Sequence, residues 1–151
     1  MNLVVNEWLP EYFRPEASKN EKELLEVFLN KFLENQDTLT VRRPSPFLQK
    51  ILLYAKLYQA NTNIYQNLYR FIKVVLQDSK RCVFIDEECI LEEAIIEKLN
   101  EGNYSSDTYL FEAASKTDNK LIITTDDKLC RQMNDIAAYN VINLTDFLKQ
   151  Y

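Results

Sequence analysis

The chain has no histidine, and Gly102 is its only glycine in 151 residues. Without histidine it can build neither a Ser-His-Asp type triad nor a histidine metal site. A lone glycine excludes the Gly-rich phosphate loops of P-loop and dinucleotide-binding folds, whose tight turns need several. No apolar run approaches the roughly 18 residues of a membrane-crossing helix, and no charged segment precedes an apolar block at the N-terminus. The cysteines, Cys82, Cys89 and Cys130, are odd in number and lack CxxC spacing. Free thiols in a reducing compartment are the simplest account, so a cytoplasmic, soluble protein with no membrane partner is expected. A formal net charge of −5 argues against binding polyanions over the whole surface, yet allows a local basic rim beside an acidic pocket. The chemistry left to the chain is that of carboxylates, amides, hydroxyls and thiols.

What is present is ordinary for a globular domain: 46% apolar and 27% charged residues. The length fits a single domain over residues 1–151. Leu3-Val4-Val5 is a short buried-strand pattern, followed at Trp8-Leu9 by a short helix that Pro15 closes. Ser18-Lys19-Asn20-Glu21 is a capping box, and Leu24, Leu25, Phe28, Leu29 and Phe32 give the helix behind it one apolar face. Thr38–Val41 is a second strand, broken by Arg42-Arg43-Pro44-Ser45-Pro46. Two helices follow, one from near Phe47 and one capped at Asn63. Cys82–Ile85 is a third strand. A helix over Cys89–Leu99 is expected to end with Gly102 as its C′ residue. The remaining pattern is a helix opening at Ser105 to Asp107, a strand over Leu121–Thr125, and a helix over Lys128–Met133. Last come a strand over Val141–Leu144 and a helix capped by Thr145.

Short apolar runs alternating with helices predict a three-layer α/β/α sandwich around a mostly parallel, about five-stranded sheet. Such sheets bind ligands beyond the carboxyl ends of their strands, near a switch in strand order. The residues just past each strand are Asn6 and Glu7, Arg42 and Arg43, Asp86, and Asp126 and Asp127. Asp107 lies three, four and seven residues before Leu110, Phe111 and Ala114, on the apolar stripe of its own helix. An inward carboxylate needs hydrogen bonds, a cation or a metal, unless it only answers the helix dipole. Asp126 is equally a candidate N-cap.

Ser106-Asp107-x-x-Leu110-x-x-Ala113-Ala114 followed by Leu121-Ile122-Ile123-Thr124-Thr125-Asp126-Asp127 resembles the C-terminal half of a PIN domain. Val141-Ile142-Asn143-Leu144-Thr145-x-Phe147-Leu148 is similar to the closing strand and helix of that family, and the earlier elements fit its order. The resemblance implies a Mg²⁺- or Mn²⁺-dependent ribonuclease acting on single-stranded RNA, in many members the toxin of a toxin–antitoxin pair. It carries the catalytic and metal-binding roles onto Asp107 and Asp126. Where the family has an Asp after its first strand this chain has Asn6, and where an acid opens the helix after the second strand it has Gln49. These neutral amides keep an oxygen ligand and lose its charge, which weakens metal affinity. Glu7 and Asp127 are candidates to restore it. Gln49, Arg42 and Arg43 are candidates to hold substrate. An alternative is a non-catalytic PIN-like module that binds RNA or a protein partner. Tyr54, Tyr58, Tyr65 and Tyr69 recur at helical spacing and suit core packing, base stacking or a homodimer face.

Overall fold

The computed structural model describes residues 1–136 and 138–151. Its strands are β1 (Asn2–Val5), β2 (Thr38–Arg42), β3 (Cys82–Ile85), β4 (Leu121–Thr124) and β5 (Asn140–Asn143). They form one all-parallel sheet in the order β3-β2-β1-β4-β5. The helices are α1 (Trp8–Tyr12), α2 (Lys19–Glu34), α3 (Pro46–Leu57), α4 (Thr62–Phe71), α5 (Glu93–Glu101), α6 (Thr108–Ser115), α7 (Asp127–Met133) and α8 (Leu144–Gln150). A parallel sheet is buried on both faces, which is why β1 and β4 read as unbroken apolar runs and not as alternating ones. The expected three-layer α/β/α sandwich is the observed fold.

Right-handed crossovers fix which face each helix covers. The chain moves one way along the sheet from β1 to β3, then jumps back past β1 to β4 and β5. Helices α1 to α4 therefore lie on one face, and α5 to α7 on the other. Helix α8 returns to the first face, where Phe147 and Tyr151 join Phe28 of α2 at centroid separations of 6.5 and 6.2 Å. Trp8 meets Phe28 edge-on at 5.2 Å, and both are almost fully buried. Opposite them, Leu110, Phe111, Ala113 and Ala114 of α6 are buried over β2, β1 and β4. Helix α1 is tied to α3 through Glu11, whose carboxylate accepts from Lys50 at 2.6 Å and Tyr54 at 2.7 Å. Burial works to raise the Glu11 pKa, but the hydrogen bonds from Lys50, Tyr54 and Arg14 outweigh it and hold the group at about 2.

Several local expectations are corrected. Helix α4 is capped by Asn61, which accepts from the Ile64 amide at 3.3 Å, and not by Asn63. At its far end the helix widens into a π-helical turn over Ile72–Leu76. Helix α5 begins at Glu93, not Cys89. Asn143, not Thr145, caps α8, accepting from the Thr145 amide at 2.9 Å. Gly102 is not the left-handed residue after α5: its φ is −86°, and Asn103 takes φ 59°. Ser18 and Glu21 do form the complete capping box read from the sequence.

Candidate functional site

The switch point lies between β1 and β4. From β1 the chain departs toward β2, and from β4 toward β5, so a crevice opens at their carboxyl ends. Asn6 and Glu7 leave β1 into it, and Thr125 and Asp126 leave β4. Two hydrogen bonds close its floor. The Trp8 indole donates to the Ile123 carbonyl at 3.1 Å, and Asn6 Nδ2 donates to Thr124 Oγ1 at 2.8 Å. Thr124 is fully buried, and its hydroxyl also accepts from the Asp126 amide at 3.1 Å. Asn6 Oδ1 accepts from the Trp8 amide at 3.4 Å, so one end of this side chain fixes the turn into α1 while the other joins the two strands.

Asp107 ends a 3₁₀ turn, Ser105–Asp107, that leads directly into α6. It stands at the N-cap position of α6, but its side chain makes no capping hydrogen bond. The carboxyl is half-buried, and burial, then the negative charges of Glu7 and Asp126, push its pKa up to about 6. Three carboxylates thus stand along this edge, with the charges of Glu7 and Asp126 near enough to oppose ionisation of Asp107. Glu7 is held there by Tyr109, whose buried hydroxyl donates to Glu7 Oε2 at 2.7 Å. Burial and the Glu7 charge move that hydroxyl far above the ordinary phenol range. Asp126 does cap its helix: Oδ1 accepts from the Lys128 and Leu129 amides at 2.9 and 3.0 Å. Its other carboxylate oxygen has no hydrogen-bond partner among the described residues.

The other candidates lie elsewhere in the contact network. Asp127 is exposed and accepts from Asn143 Nδ2 at 2.7 Å, tying α7 to the end of β5. Gln49 is exposed in the first turn of α3, and its side chain forms no hydrogen bond with Asn6, Glu7, Asp107 or Asp126. Arg42 donates to Glu112 at 3.2 Å and to the Ile85 carbonyl at 2.8 Å. Arg43 pairs with Asp86 through two bonds of 2.6 Å and lies over the Phe84 ring. Both arginines are spoken for. Tyr54 is buried and Tyr58 half-buried, while Tyr65 and Tyr69 stack on the surface of α4 at 5.7 Å.

Two groups at this edge lie outside the candidates read from the sequence. Tyr109 is one, because its partner Glu7 is 102 positions away in the chain. The other is the pair Lys128 and Arg131, exposed on α7 beside Asp126, with no carboxylate in ion-pair range among the described residues. Their i, i+3 spacing behind a strand-end Asp is a signal the sequence does contain.

The hard oxygen donors of Glu7, Asp107 and Asp126 suit Mg²⁺ or Mn²⁺, and a divalent cation would relieve their mutual repulsion. Among the described residues no three Cys, Asp or Glu side chains yet stand close enough to grip one ion. Tyr109 and the α7 amides hold two of the acids in place instead. The molecule is an all-parallel α/β sandwich with an acidic crevice at its switch point. The chain matches no protein-family model, no curated protein and no solved structure. No helix among the described residues is long and apolar enough to cross a membrane.

Proposed function

We propose that the crevice is the site of a divalent-metal-dependent ribonuclease of PIN type, with Glu7 serving in place of the acid absent at Asn6. The observation that carries this reading is that Glu7, Asp107 and Asp126 share the switch-point edge, where burial and then the charges of the other two acids push the Asp107 pKa up to about 6. Unrelieved repulsion is costly to keep in a fold unless a ligand answers it. Glu7, Asp107 and Asp126 would hold Mg²⁺ or Mn²⁺. The ion, when bound, supplies water activation and neutralises charge at a phosphodiester. The chain's own part is to present the carboxylates, with Tyr109 orienting Glu7 and Thr124 fixing the backbone from which Asp126 projects.

Incubation of purified protein with labelled single-stranded RNA in Mn²⁺ should give cleavage that is lost in Asp107→Asn and in Glu7→Gln. Mn²⁺ should also raise the melting temperature of the parent protein, but not that of Asp107→Asn. Absence of both responses in the parent protein rules this reading out.

The second reading, a PIN-like binding module without catalysis, is favoured by one observation: the Asn6 amide is a structural link, donating to Thr124. An aspartate there could not donate. Under this reading the parent neither cleaves RNA in Mn²⁺ nor gains melting temperature from the ion, and calorimetric titration detects no Mn²⁺ uptake.

A further inference from the structure

Gly102 is glycine for reasons of space. A Cβ built on it would lie 2.4 Å from Tyr104 Cδ2 and 3.2 Å from Gln132 Cγ. The Tyr104 ring therefore lies directly on the backbone at the end of α5, pressed beside α7. Its main chain is equally fixed: the Tyr104 amide donates to the Leu99 carbonyl at 2.7 Å, and Asn103 to Asn100 at 3.2 Å, a Schellman ending. The ring stays partly exposed, and its hydroxyl lies in the field of Asp126, Asp107 and Arg131. Along the neighbouring edge, Thr125, Asp126, Asp127, Lys128 and Arg131 line a shallow open depression. In that lining Lys128 and Arg131 are the cations beside Asp126 and Asp127, and among the described residues neither forms an ion pair. Arg42 and Arg43, by contrast, are neutralised by Glu112 and Asp86.

We infer that Tyr104, Lys128 and Arg131 form the edge that receives single-stranded RNA, the aromatic ring stacking a base and the two cations contacting phosphates. The inference rests on the ribonuclease reading for what the acids do, and on the α5–α7 edge for where the strand lies. A pinned aromatic ring is suited to stacking, because little side-chain freedom is left to lose on binding. Free cations on one turn of α7 can follow a backbone that a net-negative protein would otherwise repel. The strand so held passes directly over Asp126 and toward Asp107.

The test is binding of a fluorescein-labelled oligouridylate, roughly ten nucleotides long to match a short strand site, followed by anisotropy in EDTA with no metal present. Lys128→Ala with Arg131→Ala should weaken binding and flatten the dependence of log affinity on log salt by about 1.4, two phosphate contacts on a single strand. Tyr104→Ala should cost about tenfold or more, while Tyr104→Phe keeps the parent affinity. Arg42→Ala with Arg43→Ala should leave the salt slope unchanged. Parent-like affinity and slope in the Lys128/Arg131 variant, or no binding by the parent, overturns the inference. So does equal binding of polyglutamate, which carries charge but no bases. Mn²⁺-induced stabilisation is read in parallel. If it survives in the Lys128/Arg131 variant while oligonucleotide binding fails in the parent, the edge is wrong and the metal reading stands. If oligonucleotide binding holds but no Mn²⁺ response appears, the metal reading fails alone.

Discussion

Asp107 and Asp126 look alike in the sequence, each an acid at the start of a helix. The structure separates them by what their oxygens do. Asp126 accepts two amides at the start of α7, while Asp107 makes no cap and sits half-buried against two other charges. The sign of the resulting pH effect follows. A carboxyl raised from its usual value to about 6 in the fold costs stability wherever it is ionised, and the cost disappears as pH falls below the unfolded value. Asp107→Asn should therefore stabilise the metal-free protein at pH 7, by about 1 kcal/mol after allowance for solvent screening. The gain should shrink through pH 6 and be gone near pH 4. Thermal melts across that range check it; a destabilised variant at pH 7 would show that Asp107 has a structural partner. Spacing put Asp107 on the apolar stripe of its helix, and the structure shows it half-buried just ahead of α6. Its tension with Glu7 was beyond the sequence, because that contact depends on how far β1 and α6 approach in space.

At the scale of elements, the legible parts were those with local causes. The capping box at Ser18 and the apolar face of α2 are set within a few residues, and both appear as read. The helix ends were less legible, since Asn61 and Asn63 offer the same chemistry and only the bond to Ile64 decides between them. Helix α2 ends in the same manner as α5. Gln36 adopts φ 58°, with Gln36 and Asp37 amides donating to Leu33 and Phe32. A side chain in the left-handed region is strained where glycine is not. Gln36→Gly should raise stability by up to about 1 kcal/mol, read as a higher denaturation midpoint at unchanged slope. At the end of α5 the residue types are permuted: glycine stands where room is needed, and asparagine accepts the left-handed turn. A reading based on torsion alone assigned Gly102 the wrong job.

At the scale of the molecule, alternating strands and helices were enough to predict the sandwich, because a parallel sheet has few ways to be covered. Strand order was not, and with it went the knowledge of which strand-end residues share a crevice. Arg42 and Arg43 end β2, next to the switch point but occupied by their own acids. The same organisation brings distant residues together at Asp37, which is 2% exposed. One carboxylate oxygen accepts from the Met1 amino group and the other from the Tyr151 hydroxyl. Asp37→Asn should cost about 1–3 kcal/mol, since an amide must turn a donor toward one of those donors. Chemical denaturation measures it, and a loss under a few tenths of a kcal/mol would mean that neither bond matters.

The central place of β1 has a kinetic consequence. Leu3 of β1 pairs on one side with Leu39 and on the other with Leu121. During synthesis β1 must therefore wait for β4, far along the sequence, before its second neighbour exists, a long-range closure of the kind that slows folding. Until β4 docks, Asn6 has no Thr124 to meet and Glu7 has no Asp126 near it. The acidic crevice thus takes shape only once β4 has docked beside β1.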